Sequence, residues 1–187
     1  MTDDQTPYSH RRLPGDLTRE KQIERMIRVD HAGEYGAVRI YEGQLAVLGR
    51  SPASRAIRTM ATKEKDHLDA FDKLVVERRV RPTALSPVWH LAGFALGAAS
   101  ALLGPRAAMA CTVAVEEVID EHYQAQAEDL AQDNPALAAT IDEFRHDEIE
   151  HRETAKAHGA LDAPFYEGIS AVVKAGSRLA IWLSTRV

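Results

Sequence analysis

A chain of 187 residues, 45% hydrophobic and 27% charged, has room for one domain with a real core and hardly for two. Its formal net charge of −5 argues against a nucleic-acid partner on overall electrostatics. The single cysteine, Cys111, excludes an intrachain disulfide, a cysteine-rich zinc site and a four-cysteine iron–sulfur site.

Residues 1–18 read as a flexible polar leader, with neither the apolar run of a signal peptide nor the acid-poor start of a transit peptide. Residues 19–187 read as one domain. A first helix is expected over 19–49, ending at Gly49, and a second over 53–79, ending before Pro82. Residues 87–103 (PVWHLAGFALGAASALL) form the one apolar run, uncharged and with two glycines. Gly104-Pro105 then breaks the chain and places a proline at the start of a helix over about 105–131. Asn134-Pro135 is an N-cap followed by a first-turn proline, opening a helix that ends at Gly159. A last helix is expected over about 164–184. The fold class is all-α, with four amphipathic helices and two more apolar ones.

The chain repeats itself. Glu34 is followed by Tyr41 and Gln44, at offsets of 7 and 10, and Glu116 by Tyr123 and Gln126 at the same offsets. Glu34 to the Glu of EKDH is 64 − 34 = 30 residues, and Glu116 to the Glu of EIEH is 148 − 116 = 32. Each half is thus a Glu-bearing helix followed by a Glu-x-x-His helix, with the apolar run as a long crossover between halves.

Glu and His three apart on a helix share a face, so Glu64 with His67, and Glu148 with His151, can each bind one ion together. Charged helices generate such pairs by chance, but two matched halves are another matter. Ferritin-like di-metal bundles use a Glu from each of two helices and a Glu-x-x-His from each of the other two. The metal ligands are therefore expected to be Glu34, Glu64, His67, Glu116, Glu148 and His151. Glu64 and Glu148 would bridge, Glu34 and His67 would complete one metal, and Glu116 and His151 the other. Glu116 follows a stretch of little polarity, where a carboxylate is costly to bury unless neutralised; Glu117 is assigned to another face. Oxygen and imidazole ligands without thiolate suit iron or manganese better than copper. Asp147 and Glu150 are candidates to orient an imidazole N–H; simple solvation explains Asp147 equally well and Glu150 better. Gly33 and Gly36 flank Glu34 mid-helix and cost about 1 kcal/mol each relative to Ala. Tight helix packing and a distorted turn beside a metal explain them equally. His10, His146 and His158 read as solvent-facing, and His31, three residues before Glu34, is a lesser candidate to support a ligand.

DHAGEYGAVRIYEGQLAVL, EKDHL, ACTVAVEE…HY and FRHDEIEH closely resemble the demethoxyubiquinone hydroxylase family of ubiquinone biosynthesis, a likeness covering about residues 22–187. The resemblance implies a ferritin-like di-iron monooxygenase that hydroxylates the ring of a polyprenylated methoxy-methyl-benzoquinone or its quinol with O2. It implies two iron ions on the six residues above and NADH as the ultimate reductant. His122 and Tyr123 match the family's His-Tyr pair near the substrate, which would carry electrons or protons. Val38 departs from the pattern, where Asn is expected, and puts one supporting hydrogen bond in doubt.

A polyprenyl quinone lives in the bilayer, so membrane contact is expected, peripherally and at the cytoplasmic face of the cell (inner) membrane. The apolar run is at the bottom of the length range for spanning, so an interfacial helix is favoured over a spanning one, with a buried core helix as the alternative. Ile169, Val172, Val173, Leu179 and Leu183 with Trp182 form a C-terminal apolar stripe, and Lys174, Arg178 and Arg186 would face anionic lipid. A lipid-binding or ubiquinone-biosynthesis partner protein and a homo-oligomer are both admitted. The rivals are a ferritin-like iron oxidase, a manganese catalase, and a non-catalytic quinone-binding membrane protein. Paired cysteines for a rubrerythrin are missing.

Overall fold

The computed structural model describes residues 15–187; residues 1–14, with His10 and most of the expected leader, lie outside the described residues. The described chain forms six α-helices: α1 (Arg19–Leu48), α2 (Pro52–Glu77), α3 (Ser86–Leu102), α4 (Pro105–Leu130), α5 (Pro135–Ala157) and α6 (Tyr166–Ser184), with a 3-10 turn at Ala160–Asp162.

Local chemistry sets the boundaries. Thr18, Ser51 and Asn134 each accept a bond from a backbone N–H of the first turn of α1, α2 and α5, satisfying a donor the helix cannot. Prolines open α2, α4 and α5, where the missing N–H costs nothing. Gly159, at φ 83°, takes the left-handed conformation that ends α5. The last helix starts two residues later than the sequence suggests, because the 3-10 turn and left-handed Phe165 intervene.

The helices lie in three layers: α2 with α5, α1 with α4, and α3 with α6. α1 packs on α2 and α3, and α4 on α5 and α6. The repeat therefore covers three helices per half. The apolar run connects the halves, as expected, but it is also the third helix of the first, and α6 is its mate. Both outer helices keep the same register on their inner partners. Gly93 and Gly97 lie against Gly36 and Ile40 of α1, while Lys174 and Arg178 pair with Glu117 and Glu121 of α4. All four contacts span 57 residues (93 − 36, 97 − 40, 174 − 117, 178 − 121).

The two outer helices are held differently. A Cβ on Gly43 would lie 2.2 Å from the Phe94 carbonyl oxygen, and one on Gly97 1.9 Å from that of Ile40. Only glycine permits this approach of α3 to α1. α6 instead uses ion pairs and Val173, buried against Cys111, Ala114 and Val115. Two further clusters, one around Ile27, Phe71, Ile141 and Tyr123 and one around Tyr41, Ile57, Met60 and Met109, lie on either side of the charged centre.

Candidate metal centre

The six expected ligands meet between the halves. They form two groups, Glu34, Glu64, His67, Glu148 and Glu64, Glu116, Glu148, His151, in which the candidate ligand atoms lie within 4.8 Å of one another. Glu64 and Glu148 belong to both. All six side chains are buried. Each Glu-x-x-His helix turns its histidine Nδ1 inward. His67 Nδ1 is 3.2 Å from Glu148 Oε1 and 3.6 Å from Glu34 Oε2. His151 Nδ1 is 3.0 Å from Glu64 Oε1 and 3.1 Å from Glu148 Oε2.

Such a cluster is costly without cations. Burial pushes the carboxyls of Glu34, Glu64 and Glu116 above their ordinary range, and neighbouring carboxylates push them further. Glu148 goes the other way: burial opposes its ionisation, but His151 and His67 hold it down to about 2. Glu64 Oε1 and His67 Nδ1 are buried without a hydrogen bond of acceptable geometry. Two divalent cations would cancel four carboxylates and occupy both orphaned atoms, so this donor set fits a dinuclear oxygen-and-imidazole metal site.

Surrounding residues brace the cluster. Tyr41 donates to Glu116 Oε1 at 2.7 Å, and its repeat mate Tyr123 donates to Glu34. Asp147 Oδ2 lies 2.9 Å from His67 Nε2, in position to accept its N–H and leave the Nδ1 lone pair facing inward. Glu150 is exposed, and Glu117 points to α6, where it pairs with Lys174. His146 is exposed, as expected, and His31 pairs with Asp72 at 2.9 Å, away from the ligands.

Of the His-Tyr pair, only Tyr123 touches one of the six clustered residues. His122 Nε2 is 3.0 Å from Asp30 Oδ1, which also accepts from Gln126 at 2.8 Å. Asp30 was not singled out in the sequence, although it stands one turn before Glu34. Burial pushes its carboxyl up and His122 counters this.

An apolar cavity of about 400 Å³ opens between the layers α1/α4 and α3/α6. Gly33, Gly36 and Ile40 of α1, Val115 and Ile119 of α4, Trp89 of α3 and Ser177 of α6 are among its walls. It lies against the two helices that carry Glu34 and Glu116. Trp89 donates to Ser184 at 3.1 Å, tying α3 to α6 at one end. The turn at the glycines beside Glu34 is not distorted, and α3 packs closely on the Gly36 carbonyl at Gly93, but the Cβ positions of both glycines are open. The helix is regular there, and a Cβ on Gly33 would meet only Ile119 at 3.9 Å, one on Gly36 nothing within 4 Å. They leave space in the cavity.

Outer faces of α3 and α6 are strongly apolar: Leu91 is 71% exposed, Val172 72% and Trp182 51%. No helix among the described residues is long and apolar enough to cross a membrane. Of the three cations expected to face lipid, Lys174 and Arg178 are taken up by Glu117 and Glu121, and Arg186 stacks on Trp182 at 3.8 Å. The C-terminal charges are thus largely satisfied within the chain.

A twofold-repeated helical bundle with acids and histidines converging between its halves, beside an apolar cavity, defines the class of ferritin-like bundles with a carboxylate-histidine cluster able to hold metal. Within that class the chain belongs to one family: residues 21–184 match the model of ubiquinone biosynthesis protein COQ7. It is 57% identical over 177 residues to 3-demethoxyubiquinol 3-hydroxylase of Rhodospirillum rubrum, covering 94% of this chain and 84% of the relative. It is 51% identical over 169 residues to the human mitochondrial NADPH-dependent 3-demethoxyubiquinone 3-hydroxylase (88% and 78%). To the mitochondrial 5-demethoxyubiquinone hydroxylase of Saccharomyces cerevisiae it is 41% identical over 182 residues (88% and 78%).

Proposed function

We propose that this chain hydroxylates the ring of a polyprenylated demethoxyubiquinone or its quinol in ubiquinone biosynthesis, using O2 and two iron ions. The single observation that carries the reading is the pair of ligand groups sharing Glu64 and Glu148, set against an apolar cavity. Glu34 and His67 would hold one iron, Glu116 and His151 the other, with Glu64 and Glu148 between them. When bound, the metals supply the activation of O2 that ordinary side chains cannot.

The chain's own residues do the rest. Gly33 and Gly36 clear room for a flat ring against α1, and Val115 and Ile119 exclude water from it. Tyr41 and Tyr123 hold Glu116 and Glu34 in place. His122, partly exposed and bonded to Asp30, can pass a proton between solvent and the interior, and Tyr123 beside it reaches Glu34. An iron oxidase needs no apolar cavity of this kind.

The described residues contain no strand and hence no βαβ dinucleotide unit, so the reading takes the reducing equivalents from outside or through the quinone itself. NADH was the donor suggested by resemblance; the human relative's name specifies NADPH, and a nicotinamide donor of either type serves the reading. The exposed apolar faces of α3 and α6 support a peripheral seat on the membrane that holds the substrate; the cytoplasmic face of the inner membrane is the side we propose. Lipid extraction from cells lacking the gene tests the function. Accumulation of demethoxyubiquinone, reversed by the intact gene, is expected; an unchanged quinone profile overturns it.

A further inference from the structure

The twofold repeat of the ligands does not extend to what surrounds them. The residues just before the two Glu-x-x-His pairs are repeat mates, Lys63 before Glu64 and Asp147 before Glu148. Asp147 reaches across to α2, placing Oδ2 2.9 Å from His67 Nε2. Lys63 does not return the contact. Its Nζ lies 3.2 Å from that same Asp147 oxygen, and among the described residues no side chain is hydrogen-bonded to His151 Nε2.

A histidine whose distal N–H donates to a carboxylate is fixed in one tautomer and is a stronger metal donor. Losing such a partner typically costs about 10–100-fold in metal affinity. Lys63 draws on the same carboxylate, but its side chain is half-exposed and its effect is screened by water. The lone glutamates cannot cancel the difference, since each accepts one tyrosine hydroxyl.

We infer that the two metal positions are unequal, that the Glu34/His67 position fills first, and that Asp147 is the positioning residue that sets this order. The inference rests on the dinuclear reading above and adds to it an order of loading and a residue responsible.

The test titrates the metal-free full-length chain with Co(II) under anaerobic conditions, following the visible ligand-field bands and, in parallel, Mn(II) by electron paramagnetic resonance. In the unaltered chain, one equivalent should give chiefly a single-metal species. The second equivalent should bind about 10–100-fold more weakly and bring in the spin-coupled pair. D147A should weaken the first step by about that factor and merge the two; D147N, which keeps the shape and an acceptor oxygen, should fall between. Circular dichroism confirms that both variants are folded, and D147N carries the test if D147A is not. Two equivalents bound with equal affinity by the unaltered chain would overturn the inference and leave the dinuclear reading standing. Two unequal steps that survive unchanged in D147N and D147A would remove Asp147 from the role. Binding of no metal at all would overturn both.

Discussion

The Tyr41 hydroxyl donates to Glu116 across the interface between α1 and α4, at 2.7 Å and fully buried. Tyr123, 82 residues later (123 − 41), does the same for Glu34, itself 82 residues before Glu116 (116 − 34). Each half therefore steadies the lone glutamate of the other. Tyr41→Phe removes one hydrogen bond to a carboxylate and should cost about 1.5–3 kcal/mol. That corresponds to a melting temperature lower by roughly 3–12 °C for a chain of this size. Differential scanning calorimetry of the iron-loaded variant checks it; an unchanged midpoint would show that the tyrosine merely fills space.

Bridging and terminal ligands should differ in what their loss does. Glu148 belongs to both ligand groups, His67 to one. Glu148→Ala should deplete both metals, whereas His67→Ala should chiefly deplete one. Iron analysis of the purified variants reads this directly, against about two irons per unaltered chain on the dinuclear arrangement. Full occupancy in Glu148→Ala would remove the bridge.

Metal removal should expose a pH dependence. Without cations, burial raises the carboxyls of Glu34, Glu64 and Glu116, so above the ordinary carboxylate range the folded chain binds more protons than the unfolded one. Stability then falls as pH rises. His67 adds to this: burial opposes its charge, but Glu148 and Glu34 hold it protonated to about 11, a contribution present below its ordinary value and lost toward that pH. Glu148, held at about 2, works oppositely but only below the ordinary glutamate range. The metal-free chain should therefore melt lower at about pH 8.5 than at about pH 6, while the iron-loaded chain changes less. Parallel melting curves decide it, and a metal-free chain that gains stability over that interval contradicts the assignment.

The six residues that cluster were legible as candidate ligands because helical periodicity converts Glu-x-x-His spacing into a shared face, and because two halves repeat the pattern. The same periodicity placed Tyr123 on the inner side of α4. It could not show that His122 turns to Asp30, since the partner lies 92 residues away on another helix. Nor could it reveal the third helix of each half as part of the repeat. The register of α3 on α1 rests on glycine contacts, while that of α6 on α4 rests on ion pairs, so no residue pattern is shared. Lys174 and Arg178 looked like lipid-facing charges for a related reason. A helix stripe shows which residues are neighbours on one helix, not that Glu117 and Glu121 wait on the next.

That satisfaction of charge changes what membrane binding should look like. Attachment through Leu91, Val172 and Trp182 would be mainly apolar, with salt having only a modest effect. Leu91→Ser, Val172→Ser and Trp182→Ser together should abolish most sedimentation with liposomes, in low and high salt alike, while leaving the melting temperature nearly unchanged. Undiminished sedimentation of the triple variant would move the contact to another face.

The glycines of α1 offer the sharpest separation of packing from function. At Gly43 an added Cβ would strike the backbone of α3, 2.2 Å from the Phe94 oxygen, so Gly43→Ala should destabilise the chain or displace α3. At Gly36 the same atom enters open space within the cavity, and the backbone is ordinary helix. Gly36→Ala should therefore raise stability by up to about 1 kcal/mol, the helix-propensity difference. A larger side chain is a different matter, because Gly36→Leu would occupy part of a cavity of about 400 Å³. Quinone binding can be followed by quenching of Trp89, which lines that cavity, with Trp182→Phe removing the background. Gly36→Leu should retain two irons and a normal melting temperature but bind a short-chain quinone weakly and turn it over slowly. If Gly36→Leu binds and hydroxylates the quinone as the unaltered chain does, the ring does not rest against this face of α1, and the substrate must approach the metals by another route.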